Sequence, residues 1–131
     1  MTKKIIIGIA GLVAVCCAAI EPPKNGYTNL KVLPKDISSK DMSKIMVDEM
    51  ADALGVSCGF CHAEKAGSHQ LDYASDAKPE KAIARQMMRM TLKINKTFFK
   101  TKHPALQDAA LIITCNTCHN GQPFPGEAAG K

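Results

Sequence analysis

Aromatic residues are scarce in this 131-residue sequence, which has no tryptophan, two tyrosines and four phenylalanines. Aromatic side chains supply much of the apolar surface that small domains bury. A domain of this size buries a modest core at best. The shortage excludes a large aromatic core, and we expect the polypeptide to need a source of apolar bulk other than its own side chains.

Acidic residues are scarce in the second half of the chain. Residues 20–80 include 7 basic and 10 acidic side chains, whereas residues 81–131 include 8 basic and 2 acidic ones. Such a lopsided field can orient a small protein against a charged partner. A solvated helix face would carry the same charges, so the pattern alone does not establish a docking surface. Nucleic acid is not expected as a partner, because the N-terminus predicts export.

Long apolar runs are absent except over residues 5–20, which follow two lysines. A basic head and an apolar body are typical of a secretory signal. The run is shorter than the roughly 20 residues that span a bilayer. We predict that residues 1–20 are a signal peptide or a membrane or lipid anchor, with Cys16 or Cys17 as the lipidation site. The protein is therefore expected in the periplasm or on the outer face of the membrane.

Beyond the apolar run, every cysteine lies in one of two pentads, Cys-Gly-Phe-Cys-His at 58–62 and Cys-Asn-Thr-Cys-His at 115–119. Two thiols three positions apart can each form a thioether with a vinyl group of one haem, and the adjacent imidazole then supplies the proximal iron ligand. The sequence predicts two covalently bound haem c groups. Their thioether residues are Cys58, Cys61, Cys115 and Cys118, and their proximal ligands are His62 and His119.

Paired cysteines have two other uses, a four-cysteine zinc site and a disulfide framework. Zinc also binds Cys-x-x-Cys pairs, but it has no use for a histidine directly after each second cysteine. The wide separation of the two pentads also exceeds the ordinary spacing of a zinc ribbon. Cysteines three positions apart rarely meet disulfide geometry. Haem attachment is the favoured interpretation, and both alternatives remain open at this point.

A first helix is predicted to lead into the first pentad. Ser38 and Asp41 approximate a capping box, apolar residues then repeat at helical spacing, and Gly55 is a natural C-cap. Residues 29–34 are predicted to form an extended strand before it. The apolar positions of this helix are Met42, Ile45, Met46, Met50, Ala53 and Leu54.

A second helix is predicted from Pro79, in its first turn, to about Phe99, after a surface loop over residues 63–78. Its apolar stripe is predicted to be buried. A shorter helix over residues 104–113 is expected to lead into the second pentad. The stripe consists of Ile83, Met87, Met90, Ile94 and Phe98.

These elements predict an all-α fold, a small multihaem cytochrome c with two helix–turn–haem-motif modules and little or no strand. Residues 21–40 are predicted to be a linker and extended segment, residues 41–121 the dihaem domain and residues 122–131 a flexible tail.

A low-spin electron carrier needs a sixth ligand on each iron, and methionine and histidine are the candidates. The sequence has seven methionines, although methionine also fills irregular gaps in protein cores. On the second helix Met87 and Met90 share the stripe, whereas Met88 lies about 100° from Met87. On the first helix Met42, Met46 and Met50 are stacked four residues apart, so spacing does not separate them.

Residues 29–123 resemble the tetrahaem cytochrome subunit of photosynthetic reaction centres and its small non-photosynthetic relatives. The stretches that carry the resemblance are Asn-Leu-Lys-Val-Leu at 29–33, Ala-Leu-Gly-Val at 53–56, Met-Met-Arg-Met-Thr at 87–91 with Ile-Asn at 94–95, and Thr-Cys-Asn-Thr-Cys-His at 114–119. This sequence has two haem motifs, whereas the tetrahaem subunit has four.

The resemblance implies which methionines complete the iron. In that family the helix before each pentad offers a methionine, which falls on Met87 for the second haem and on Met46 for the first, with Met90 and Met50 in reserve. His69 and His103 are expected to be surface residues, with ligation by two histidines as the less favoured arrangement.

The sequence therefore predicts a periplasmic dihaem c-type cytochrome that transfers electrons and is not an enzyme. Its expected partner is a redox protein or a membrane respiratory complex, with membrane association through the N-terminus. Two alternatives are a small haem peroxidase or reductase with one open iron position, and a haem subunit of a larger membrane oxidoreductase.

Overall fold

A computed structural model describes residues 26–126, and this part of the chain is mostly helical, as predicted. The predicted N-terminal signal or anchor, with Cys16 and Cys17, and residues 127–131 of the predicted tail lie outside the described residues. Among residues 26–126 no helix has the length and apolar character to cross a membrane. In chain order the elements are α1 (Ser39–Lys44), a π-helical segment (Ile45–Asp52), α2 (Cys58–Cys61), β1 (Ala63–Glu64), β2 (Leu71–Asp72), α3 (Pro79–Phe98) and α4 (Cys115–His119).

The helix before the first pentad starts and stops where the sequence predicts, but its middle is not α-helical. The Ser38 hydroxyl accepts a hydrogen bond from the Asp41 N–H at 3.0 Å, and Gly55 ends the helix with φ +64°. From Ile45 the helix widens into a π-helix, in which the hydrogen bonds join residues five apart. Such turns occur often at functional sites, and this one contains both Met46 and Met50.

The predicted apolar stripe of α3 exists, but the prediction that it is buried is wrong. Ile83, Met87, Met90 and Phe98 expose 53%, 40%, 47% and 73% of their surface. The face that packs inward carries Lys81, Met88, Thr91 and Asn95. Helical spacing identifies an apolar face without saying what covers it.

The core is small, as the shortage of aromatic residues predicts. Ile37, Ile45, Met88 and Leu106 form its centre. Met88 is therefore a core residue. The protein interior lies on the Met88 side of α3 and not on the Met87 side.

The predicted helix over residues 104–113 is wrong, because these residues form turns. Asp108 organises the first turn by accepting a hydrogen bond from the Ala105 N–H at 3.0 Å. The N–H groups of Ile112 and Ile113 donate to Oδ1 of Asn95 at 2.9 and 3.1 Å. A helix would need those two N–H groups for its own carbonyls, so the contact with Asn95 and the helix exclude each other.

Residues 29–34 do not form the predicted strand, because α3 and the loop before it occupy their hydrogen-bonding groups. The Asn29 backbone is left-handed with φ +61°, and its carbonyl accepts from Arg85 at 3.0 Å. The carbonyl of Lys31 accepts from Arg89 at 3.3 Å. Within the predicted loop over residues 63–78, β1 and β2 form a two-residue antiparallel pair in which Ala63 lies opposite Asp72.

The chain around Gly55, just before the first pentad, contacts the chain just after the second pentad. The Gly121 N–H, two residues after the second pentad, donates to the Ala53 carbonyl at 2.8 Å. The Gly121 carbonyl lies so close to Gly55 that a Cβ there would overlap it.

We expect Gly55→Ala to lower the free energy of unfolding by more than about 2 kcal/mol. A left-handed backbone costs a residue with a Cβ about 1–2 kcal/mol, and the overlap with the Gly121 carbonyl adds to that cost. Chemical denaturation followed by circular dichroism measures the change. Gly67→Ala is the matched control, since Gly67 has φ +74° and nothing within 4 Å of its Cβ position. An equal loss in the two variants would show that the contact with Gly121 contributes nothing.

Candidate haem sites

The first pentad opens onto the larger of two cavities. This cavity has a volume of about 670 Å³ and is lined by Cys58, Cys61 and His62. Cofactor sites of proteins range from about 300 to 1,000 Å³. The structure therefore brings the residues predicted to attach a haem and to ligate its iron together at a cavity of suitable size.

Three methionines from the preceding helix line the same cavity. Met42, Met46 and Met50 all contribute to its wall, so the structure brings the predicted Met46 and the reserve Met50 to the first site without separating them. The π-helical segment carries the latter two. A thioether sulfur opposite an imidazole is the ligand pair of many c-type cytochromes.

The surroundings of His62 keep its imidazole neutral. Burial lowers the pKa of His62, Lys81 and Arg85 lower it further, and the Tyr73 carbonyl opposes them. The Tyr73 ring meets the imidazole edge-on, with 5.0 Å between centroids. Nδ1 of His62 is buried, and no described residue forms a hydrogen bond of acceptable geometry with it. A neutral buried imidazole is the form that binds a metal.

Basic side chains form one wall of the first cavity, a feature that sequence reasoning missed. Lys81 is 9% exposed although it is charged, and its Nζ donates to the carbonyls of Tyr73 and Ser75 at 2.8 and 2.6 Å. Lys81, Met88 and Asn95 recur every seven residues along one line of α3. The seven-residue spacing could have identified this buried line of residues in the sequence. A lysine at its start, however, normally indicates a solvent-exposed helix face.

Asp76 links this wall to residues 29–31. Its carboxylate accepts from Lys31 and from Arg85, each at 2.6 Å, and from Asn29 at 2.9 Å. The hydrogen bonds from Lys31, Asn29 and Arg85 hold the pKa of Asp76 well below its usual range. Asp76 therefore stays ionised at every physiological pH and fixes the position of Arg85.

The second pentad lies at a smaller groove of about 200 Å³, lined by Cys115, His119 and Met87. The groove also includes Ile83 and Phe124, which expose 53% and 55% of their surface. Exposed apolar walls suit a flat apolar cofactor, although the groove is smaller than the usual size of such sites. Two residues of the apolar stripe of α3, Ile83 and Met87, thus line this groove instead of the core.

Two predicted residues do not line the second groove. Cys118 is exposed, on the same short helix as Cys115. Met90 is 47% exposed and is absent from the groove wall. The structure brings Met87 to the second site and not the reserve Met90.

Local hydrogen bonds orient the second pentad. Nδ1 of His119 lies 2.8 Å from the Gln122 carbonyl, an arrangement that fixes the ring and leaves Nε2 free. The Thr117 hydroxyl accepts from the Thr114 N–H at 3.0 Å and so caps α4 from within the pentad. Asn95 holds the approach to α4, because its Nδ2 donates to the Ile113 carbonyl at 2.7 Å.

The four cysteines of the two pentads are free thiols in the structure. Burial raises the pKa of the Cys115 thiol to about 11, and the nearby Glu49 carboxylate adds to the shift. Burial likewise raises the pKa of Cys61, with Glu80 as the next cause. Within residues 26–126 the His, Cys, Asp and Glu side chains form no group of three or more that could hold a metal ion. The geometry favours neither the zinc nor the disulfide alternative.

The two sites lie back to back. Both cavities are lined by the same layer of side chains, formed by Met50, Leu54, Cys61, Ala84 and Met88. Groups bound in the two cavities would therefore be separated by a single layer of side chains.

His69 and His103 are exposed, as expected.

Comparison with known families identifies relatives. A sequence model of the family described as photosynthetic reaction centre cytochrome C subunit matches residues 14–129. The photosynthetic reaction center cytochrome c subunit of Rubrivivax gelatinosus is 39% identical over 70 residues, which are 53% of this chain and 16% of that protein. Cytochrome c-554 of Chloroflexus aurantiacus is 33% identical over 94 residues, 72% of this chain and 20% of that protein.

A third relative extends the similarity along the chain. The photosynthetic reaction center cytochrome c subunit of Roseobacter denitrificans is 30% identical over 110 residues, 82% of this chain and 27% of that protein. The chain thus spans between 16% and 27% of the length of these relatives. All three are named as cytochromes and none as an enzyme, which agrees with the prediction of an electron carrier.

Proposed function

Because the chain belongs to the photosynthetic reaction centre cytochrome c subunit family, we propose that it is a dihaem c-type cytochrome that transfers electrons between redox proteins outside the cytoplasm. The observation that supports this most is that each pentad lines a cavity together with a methionine from the helix that precedes it. A haem c in each cavity supplies reversible one-electron chemistry at its iron.

In this proposal the residues of the first cavity have distinct roles. Cys58 and Cys61 would form the thioethers, and His62, whose pKa burial lowers, would be the proximal iron ligand. Met46 would be the distal ligand, with Met50 in reserve. The aliphatic residues of the cavity wall would exclude water from the bound group.

The second cavity has the corresponding set. Cys115 and Cys118 would form the thioethers, His119 would be the proximal ligand and Met87 the distal one. The Gln122 carbonyl orients His119 through Nδ1. The apolar side chains around the groove, Ile83 and Phe124, gain cover from the porphyrin. Haems held in the two cavities would be separated by the layer of side chains that lines both, which supports electron exchange between them.

Several further features belong to the same proposal. Residues 41–121 form the dihaem domain, residues 21–40 connect it to the N-terminal segment, and residues 122–131 are a tail. Residues 1–20 direct export to the periplasm and can keep the protein at the outer face of the membrane, with Cys16 or Cys17 lipidated. The partner is a redox protein or a membrane respiratory complex.

Intact-mass analysis of the protein, produced with a haem-attachment system, tests the proposal. We expect the polypeptide plus two haem groups. The double variant Cys58→Ser/Cys61→Ser and the double variant Cys115→Ser/Cys118→Ser should each lose one haem. Gly59→Ala is the control within a pentad, because a Cβ there meets only the Ser57 hydroxyl at 3.9 Å. A bare polypeptide or a single haem in the wild type would refute the dihaem assignment.

A further inference from the structure

The walls of the two candidate sites differ in charge. Four basic side chains line the first cavity and a single carboxylate accompanies them. They are Lys31, Lys65, Lys81 and Arg85, with Asp72. Apart from His119, Glu80 is the only charged side chain among the described residues that line the second groove. Glu80 also acts on Cys61 of the first pentad, whose pKa it raises, and Glu49 adds to the effect of burial on the pKa of Cys115. The wall of the first cavity is therefore the more basic of the two, with four basic side chains against none in the second groove.

Lys81 and Arg85 are the basic groups best placed to act at the first site. Their side chains are only 11% and 12% exposed, so solvent screens them less than it screens Lys31, which is 51% exposed. Two carbonyls fix the Lys81 ammonium in the wall. The Lys81 ammonium lies 3.6 Å from the Asp76 carboxylate, which also forms ion pairs with Lys31 and Arg85. Because Asp76 is shared by three cations, the wall keeps a net positive charge.

Charge at the wall changes the relative stability of the two oxidation states of an iron. Reduction removes one positive charge from the iron, so neighbouring cations favour Fe(II) and neighbouring carboxylates favour Fe(III). The effect is larger where burial lowers the local dielectric constant. Each haem c brings its own propionates to both sites, so these do not cancel the difference between the walls.

We propose that Lys81 and Arg85 make the first site the higher-potential one, so that electrons pass from the second haem to the first. The inference rests on the proposed function and adds a direction to it. One electron leaves the iron held by His119, which goes from Fe(II) to Fe(III), and the iron held by His62 goes from Fe(III) to Fe(II). No bond is made or broken and no proton moves. An external redox protein supplies the electron and another removes it.

A spectroelectrochemical titration of the two-haem protein tests the order of the potentials. We expect two one-electron waves in the wild type. Lys81→Met should lower the upper wave by at least tenfold in the reduction equilibrium constant, which is 59 mV for a one-electron couple. Lys81→Arg keeps the charge and should restore the upper wave. Glu49→Gln should raise the lower wave and leave the upper one in place.

Lys93→Met is the matched control, because Lys93 is an exposed cation on the same helix and its loss should move neither wave. An upper wave that is unchanged in Lys81→Met, or a shift of the lower wave instead, would overturn the proposal. If Lys81→Met does not retain both haems, Arg85→Gln is titrated under the same criterion. A wild type with fewer than two haems by mass contradicts the proposed function itself, whereas two haems with potentials insensitive to these substitutions contradict only the assigned direction.

Discussion

Met87→Leu is expected to convert one of the two haems from low spin to high spin and to lower its reduction potential. Leucine has nearly the volume of methionine but no sulfur, so the iron of the second site would lose its proposed distal ligand. Methionine ligation raises haem potentials, and we expect a drop of at least about tenfold in the reduction equilibrium constant, or 59 mV. Optical spectra of the ferric and ferrous states, with a redox titration, measure both changes.

Neighbouring methionines on α3 supply the controls for this prediction. Met88 is 5% exposed in the core and is not a proposed ligand, so Met88→Leu should cost less than about 1.5 kcal/mol and leave both haems low spin. Met90→Leu, at a position outside the groove, should also leave the spectra unchanged. A spectrum altered by Met90→Leu and not by Met87→Leu would transfer the ligand role to the reserve residue.

Asn95→Leu is expected to destabilise the fold by about 3 kcal/mol and to disturb the second site selectively. Asn95 is fully buried. Its side chain accepts from the N–H groups of Ile112 and Ile113 and donates to the Ile113 carbonyl. An unpaired buried polar group costs about 1–3 kcal/mol. These backbone groups are only part-buried, so we take the lower end of that range for each of the three.

Urea unfolding followed by circular dichroism measures the stability, and intact mass counts the haems in the same preparation. We expect the haem at Cys115 and Cys118 to be the one that is lost or incompletely attached. Lys96→Leu introduces the same side chain one position along α3 at an exposed site and should change stability by less than about 0.5 kcal/mol. A loss below about 1 kcal/mol for Asn95→Leu, with both haems intact, would show that the contact is dispensable.

Local sequence patterns predicted the helix boundaries well. Each boundary depends on one residue that acts within a single helical turn. Ser38 caps the helix start, Gly55 takes a left-handed backbone at the helix end, and Pro79 has no N–H to satisfy in the first turn. No distant contact is needed to recognise them. The prediction failed where distant groups compete for backbone hydrogen bonds. Arg85 takes the Asn29 carbonyl, and Asn95 takes the N–H groups of Ile112 and Ile113.

The candidate sites show the same division. Two Cys-x-x-Cys-His pentads and the methionines ahead of them can be read from the sequence, because covalent attachment depends on residue type and short spacing. Helical spacing does not separate Met87 from Met90, since both lie on one face; the family resemblance favours Met87, and the groove includes Met87 and not Met90. Among Met42, Met46 and Met50 the choice still rests on the family resemblance, because all three line the first cavity.

The sequence alone determined the chemistry available to this protein, which is two thiol pairs with adjacent imidazoles, on a mostly helical chain with little aromatic core of its own. The tertiary structure decided which side of α3 faces inward, because Met88 packs against Ile37, Ile45 and Leu106. Ile83 and Met87 of the apolar stripe then line the second groove. It also decided that Lys81 and Arg85 line only the first cavity. The charge felt at each site depends on distances across the fold, and no local pattern along the chain encodes them.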